Sequence, residues 1–241
     1  MLSKCLPLLG ALAAASPAYA ITVNMDGYTR GAADVVMTGT EGLSPSYTGQ
    51  AGEFSGTFEE PLPGAQNLLS VAVAAAAPTS FVAWCAELTQ TFSFGVSYEY
   101  TPVSGASHFG AQKTTDLSRL FTAAQGFVVD NLTSAAMQAA IWEVMYETDP
   151  TFSLTGGKFT GQATTPAGQS AFSVVNGYLL TLGSYQASAR IDVLENGAQQ
   201  DFLVATVPEP ETWMLFGLGL GVAGLLKRRQ RRPERGAAER R

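Results

Sequence analysis

The C-terminal segment, residues 208–241, constrains this chain most, because it is built differently from everything before it. It opens with Pro208, Glu209 and Pro210, and the two prolines remove backbone donors and disfavour a helix just before them. An uncharged run then extends from Trp213 to Leu226. A basic cluster follows the run and consists of Lys227, Arg228, Arg229, Arg231 and Arg232.

The uncharged run predicts a single transmembrane helix at about residues 212–226. As a helix it would reach ~21 Å, which is short of the ~30 Å hydrocarbon core. Trp213 suits one membrane interface, and the arginine side chains can extend to the other. The basic cluster places the C-terminus in the cytoplasm by the positive-inside rule. The alternative is a buried core helix with a basic tail, and four glycines in the run argue against it.

The N-terminal residues 1–20 predict a secretory signal peptide. Lys4 supplies a positive start, residues 6–15 form an apolar stretch, and residues 18–20 read Ala-Tyr-Ala, a small-x-small cleavage site. The alternative is a hydrophobic first helix of the mature fold, which Pro7 and Pro17 disfavour.

Together the two ends resemble a PEP-CTERM protein of a Gram-negative bacterium. The resemblance rests on the Pro-Glu-Pro motif, the apolar run and the arginine cluster, which stand in that order from Val207 to about Arg232. It implies export and anchoring in the inner membrane by the C-terminal helix. It also implies an exosortase-type protease as processing partner and a final location at the cell surface or in the extracellular matrix.

Residues 21–207 have the length of one domain with a substantial core. Five basic and sixteen acidic side chains leave this part with a charge of −11, which disfavours nucleic acid as a partner. His108 is the single histidine and Cys85 the single cysteine of this part, so neither a Cys/His zinc site nor an internal disulfide is expected. The acidic residues form no calcium-loop pattern, and we expect no metal and no cofactor.

The hydrophobic pattern predicts an α+β fold, a β-sandwich or barrel-like scaffold with a helical insertion. Alternating and β-branched runs predict strands, and helical spacing with a cap at Thr133 predicts the longest helix. The predicted strands are 21–25, 35–37, 71–73, 81–88, 91–100 and a pair within 191–204 around Asn196-Gly197. The predicted helices are 116–124, 134–146 and 167–182.

Cys85 and Gln138 are the residues that could carry chemistry. Taken alone, Cys85 at the end of a hydrophobic strand is most simply a small buried apolar residue. Gln138 on the long helix is most simply a solvent-facing side chain. Trp142 lies one helical turn after Gln138, either in the core or as a lid over it.

The segments 83–88 and 136–146 resemble the two signatures of thioester domains, which are known from bacterial surface adhesins. In that family an aromatic-Cys-x-acid strand precedes a helix with a Gln-x-x-apolar-Trp pattern. The resemblance implies that Cys85 and Gln138 form an internal thioester, with Trp84 and Trp142 as shields. Such a protein binds a surface amine or matrix polymer covalently and once, so it is an adhesin and not an enzyme.

The residues next to the two signatures provide candidates for polar support, and two other functions stay open. Glu87 and Tyr146 are the candidates for support, from their positions alone. The first alternative function is a non-reactive structural protein of a matrix or biofilm. The second is a cysteine protease that pairs Cys85 with His108 and with Asn131 or Asp130, although such a cysteine usually begins a helix.

Overall fold

The computed structural model describes residues 20–40, 42, 44–59 and 80–207. Residues 1–19 of the predicted signal peptide, the predicted strand at 71–73 and the C-terminal segment lie outside the described residues. Within the described part, no helix combines the length and the apolarity that crossing a membrane requires.

The strands follow from alternation of apolar and polar residues. In the first strand Ile21, Val23 and Met25 are buried, while Thr22 and Asn24 between them are half-buried. The described strands are β1 (Ile21–Tyr28), β2 (Ala33–Gly39), β3 (Tyr47–Ala51), β4 (Phe54–Phe58), β5 (Ser80–Cys85), β6 (Ser97–Ser104), β7 (Phe159–Ala163), β8 (Arg190–Glu195) and β9 (Phe202–Thr206).

Six of these strands form a closed antiparallel barrel in the order β1-β4-β5-β9-β8-β6, and β6 pairs with β1 to close it. Closure leaves no unpaired edge, which satisfies backbone groups that would otherwise face solvent. The barrel-like scaffold predicted from the sequence is therefore confirmed. The β8–β9 hairpin is also as predicted, but its loop spans residues 196–201 rather than a two-residue turn.

The helices occupy one insertion between β6 and β8, as the sequence predicts. They are α1 (Gly105–Phe109), α2 (Ala111–Ala123), α3 (Asn131–Tyr146) and α4 (Pro166–Leu180). The insertion also contributes β7, which joins β2 and β3 in a second antiparallel sheet of order β3-β2-β7. The short sequence of β7 contains Gly161 and Gln162 and lacks a strand pattern, which is why it is not predicted.

Helix α3 is the centre of the insertion, and its position corrects two predictions. It packs against α2, α4 and the β3-β2-β7 sheet, so all residues from Ser134 to Val144 are buried, including Gln138, which its sequence position alone places in solvent. Its N-cap is Asp130, whose carboxylate accepts from the Thr133 backbone N–H at 2.8 Å. Thr133, predicted as the cap, is instead the N3 residue of the capping box that begins at Asp130.

The predicted strand 91–100 is wrong in its first half. Strand β6 begins at Ser97, and Gly95 before it has a φ of +70°, a conformation that interrupts an extended strand. Phe92 and Phe94 therefore leave the barrel sheet. Their rings pack 5.0 Å apart and contact Phe54, next to the end of β5.

Candidate functional site

Strand β5 and helix α3 bring together the two residues on which the thioester prediction rests. Cys85 is the last residue of β5 and pairs with Phe202 of β9, so the barrel fixes its backbone. Gln138 lies in the fully buried part of α3 and has no exposed surface. The sequence separates the two residues by 53 positions, and the fold places them in direct contact.

Two hydrogen bonds link the Gln138 carboxamide to the backbone of Cys85. The Cys85 N–H donates to Gln138 Oε1 at 2.9 Å, and Gln138 Nε2 donates to the Cys85 carbonyl at 3.0 Å. This reciprocal pair satisfies the buried polar atoms and fixes the plane of the amide. The carbonyl carbon of Gln138 is thus held beside the residue that carries the thiol, with its oxygen already polarised by a donor.

A cavity of about 390 Å³ opens beside this pair. Cys85, Gln138 and Trp142 all line it. Its other walls come from β1, the β3–β4 region, the segment after β5 and the β8–β9 loop. The remaining lining residues are Tyr28, Tyr47, Gln50, Ala51, Gly52, Phe54, Glu87, Leu88, Gln90, Thr91, Phe92, Phe94 and Gln200.

Burial keeps the thiol and two tyrosines of this site in their neutral forms. Desolvation, reinforced by the negative charge of Glu87, raises the pKa of the Cys85 thiol well above its usual range. Desolvation likewise raises the pKa of Tyr47 and raises that of Tyr28 to about 12. The free thiol is therefore a weak nucleophile at rest, and its reactivity depends on alignment rather than on ionisation.

The two predicted shielding tryptophans lie in different places. Trp142 lines the cavity, and its ring meets that of Tyr47 edge-on at 5.2 Å. Trp84 is buried against Phe121 of α2, with ring centroids 6.2 Å apart, and does not belong to the cavity wall. The geometry thus brings Trp142, but not Trp84, to the Cys85–Gln138 pair.

The two residues predicted as polar support both contact the segment after Cys85. The Tyr146 hydroxyl accepts from the Leu88 N–H at 2.9 Å and so ties this segment to the end of α3. Glu87 lines the cavity, and its carboxylate accepts from the Thr89 hydroxyl at 2.7 Å.

The residues of the protease alternative lie elsewhere. His108 on α1 has its ring nitrogens 3.4 Å from the Glu195 carboxylate and 3.6 Å from that of Asp201, and it is not among the cavity-lining residues. Asp130 caps α3, and Asn131 donates to the Ala32 carbonyl at 3.1 Å. The described residues therefore show no cysteine–histidine pair at Cys85.

Several cavity residues are not apparent from the sequence. Tyr28, Tyr47, Phe92, Phe94 and Gln200 come from four separate segments, and each reads as an ordinary strand or loop residue. The one usable signal is Gly95, whose position in an aromatic run predicts a break that would turn Phe92 and Phe94 out of the sheet.

Comparisons with known proteins give one structural match over most of the chain and one sequence match near its C-terminus. Among solved structures, the thioester domain of the Staphylococcus aureus TIE protein is similar, with 10% sequence identity over 78% of each chain and a TM-score of 0.37. No curated protein matches the chain. The family model that matches is the PEP-CTERM protein-sorting motif, at residues 206–232.

That match includes Pro208, Glu209, Pro210 and the basic cluster at 227–232, all outside the described residues. A motif of this kind implies an exported protein with a C-terminal membrane-anchoring signal that an exosortase processes. The chain carries a PEP-CTERM sorting motif, as its C-terminal sequence predicts.

Proposed function

We propose that this protein is an exported surface or matrix adhesin that attaches covalently to amines through a thioester between Cys85 and Gln138. The observation that carries the proposal is the reciprocal hydrogen-bonded pairing of the Gln138 carboxamide with the Cys85 backbone beside an open cavity. A buried glutamine that only filled space would not need to adjoin the one cysteine of the domain. The PEP-CTERM motif supports the location at which such an adhesin would act.

Formation of the bond uses two residues that backbone hydrogen bonds already hold together. The sulfur of Cys85 attacks the side-chain carbonyl carbon of Gln138, and the Cys85 N–H that already donates to Oε1 stabilises the developing oxyanion. The carbon–nitrogen bond then breaks, and the amide nitrogen leaves as ammonia with the proton of the thiol. Alignment by the two hydrogen bonds replaces the strong base that the high thiol pKa would otherwise require.

The thioester is a stored electrophile that an incoming amine can open. The cavity provides access, and Trp142 and Tyr47 line it as apolar cover against water. The amine ends as a stable amide on Gln138, and Cys85 is released as a thiol. One bond forms once per molecule, which suits anchoring and not turnover.

The test is intact mass of the purified, undenatured protein. We expect a mass lower than the sequence predicts by one ammonia, and a gain of one methylamine after incubation with that amine. Cys85→Ala should abolish both changes, because the sulfur is lost while the backbone bonds to Gln138 remain possible. A fully reactive free thiol at Cys85 in fresh native protein, with no mass deficit, would rule the proposal out and leave a non-reactive matrix protein.

A further inference from the structure

The charge of the cavity restricts the amines that it can admit. Among the described residues that line it, Glu87 is the one with a carboxyl side chain. That lining includes no lysine, arginine or histidine. An incoming amine therefore meets a carboxyl group and no cationic side chain in this wall.

The apolar walls consist largely of aromatic rings. Tyr28 stacks on Phe54 at 4.8 Å, and Phe92 and Phe94 pack against the same ring. Phe94 is 44% exposed, although large aromatic side chains usually bury most of their surface. An exposed ring at the cavity offers a flat apolar face to a ligand, such as the C–H face of a sugar ring.

The polar part of the lining is mostly neutral and amide-bearing. Gln50, Gln90, Thr91 and Gln200 line the cavity together with Glu87. Gln200 is held rigidly, since its Nε2 donates to the Glu87 carbonyl at 3.0 Å and to the Asp201 carbonyl at 3.2 Å. Amides and hydroxyls both donate and accept, which matches the dual character of sugar hydroxyls.

We propose that the amine captured at Gln138 is the free amino group of a 2-amino sugar in a polysaccharide, an inference that rests on the proposed thioester. The cavity of about 390 Å³ is large enough to enclose a sugar residue. Oxygen substituents near the amino group withdraw electrons and lower its pKa below the ~10.4 of lysine. A larger fraction of such an amine is neutral and nucleophilic at neutral pH, which suits a wall that contains no histidine.

The reaction balances without a cofactor. The amine nitrogen attacks the Gln138 carbonyl carbon, the carbon–sulfur bond breaks, and its electron pair goes to the Cys85 sulfur. One proton passes from the nitrogen to the sulfur, so the products are an amide and a thiol. An amine that arrives as ammonium releases its extra proton to solvent water before it attacks.

The experiment measures adduct formation on the full chain in detergent, by intact mass over time. The probes, at equal concentration and neutral pH, are a glucosamine oligomer, the same oligomer fully N-acetylated, a peptide with one lysine, and methylamine. We expect the glucosamine oligomer to react at least about tenfold faster than the lysine peptide. We expect no adduct with the acetylated oligomer, because its nitrogen is no longer nucleophilic.

Variants in the wall separate recognition from reactivity. Phe94→Ala should lower the rate with the glucosamine oligomer more than the rate with methylamine. Val96→Ala is the matched control, because Val96 is 43% exposed and is not a lining residue, and it should leave both rates unchanged. Equal or faster reaction of the lysine peptide would overturn the amino-sugar proposal and leave the thioester intact. No adduct with methylamine would overturn both.

Discussion

Helix α3 buries both Gln138 and Glu143, and the difference between them shows what a buried polar group needs. In its middle, both amide atoms of Gln138 pair with the backbone of Cys85. One turn and a half later, Glu143 is equally buried but accepts from the Ser153 N–H alone, at 2.7 Å, and its second oxygen has no partner among the described residues. The Gln138 side chain thus has hydrogen-bond partners for both of its polar atoms, whereas one Glu143 oxygen has none.

The incomplete hydrogen bonding of Glu143 is accompanied by a raised pKa. Burial, reinforced by the neighbouring charge of Glu147, raises the pKa of Glu143 to about 8 against the opposing bond from Ser153. Glu147 shows the opposite outcome at the end of the same helix. Burial again favours its neutral form, but N–H donors from Asp149, Phe159, Lys158 and Thr148 outweigh burial and lower its pKa.

The loop that supplies these donors is shaped around the Glu147 carboxylate. Gly157 has a φ of +105°, and a side chain there would collide with Glu147 Oε2. The loop between α3 and β7 is thus folded onto a carboxylate, whereas the site around Gln138 is built from backbone groups of a barrel strand. The number of donors, and not burial as such, determines which of these groups carries a charge.

The largest expected effect comes from removing the Gln138 side chain, whose amide pairs with the Cys85 backbone. Gln138→Ala should abolish amine capture and lower the free energy of unfolding by about 3–5 kcal/mol, because it leaves the Cys85 N–H and carbonyl buried without partners and opens a void. Urea unfolding gives the value.

Cys85→Ala is the matched control for that change. It should also abolish capture but cost about 1 kcal/mol or less through lost burial, since the backbone pairing with Gln138 is retained. Equal destabilisation by the two variants would show that the pairing does not stabilise the fold.

A second effect should come from the carboxylate that organises the loop. Glu147→Ala should destabilise by about 2–4 kcal/mol, because N–H groups of the loop lose a charged acceptor. Amide hydrogen exchange at Lys158 and Phe159 should accelerate.

The neighbouring Asp149→Ala provides the comparison for Glu147. It removes an exposed pair with Lys158, 3.0 Å long, and should change stability by less than about 1 kcal/mol. Unchanged exchange at residues 158 and 159 in Glu147→Ala would contradict the role assigned to Glu147.

The smallest effect concerns pH. The raised pKa of Glu143 means that the folded protein keeps a proton that the unfolded chain loses. Its contribution to stability is fully present below the unfolded pKa and is lost as the pH rises through about 8. From pH 5 to pH 8 the wild type should therefore lose more stability than Glu143→Gln, by on the order of 1–3 kcal/mol.

The comparison between wild type and Glu143→Gln cancels the other carboxyl groups with raised pKa values, Glu53 and Asp201, because both proteins contain them. Glutamine retains an oxygen for the Ser153 N–H and cannot ionise. Parallel stability curves for the two proteins across this range would refute the assignment of a raised pKa to Glu143.

The barrel-like scaffold, the helical insertion and the hairpin near the end of the domain are predictable from the sequence. The spacing of apolar residues within each short segment indicates a strand or a helix. Strand β1 is recognised from its alternation of apolar and polar residues, and helix α4 from its helical spacing of apolar residues. Neither pattern depends on knowing which segment packs against it. The N-cap at Asp130 rather than Thr133 is a finer matter, because both residue types cap helices and the local geometry selects one.

The sequence by itself determined the sorting motif, because a sorting signal is a linear order of residues, and it singled out Cys85 and Gln138 as a pair through their two signatures. The tertiary structure alone decided that Gln138 is buried against the Cys85 backbone, that Trp84 faces α2, and that Phe92 and Phe94 line the cavity. Burial depends on which distant segments pack around a residue. The spacing of apolar residues within one segment does not identify those neighbours.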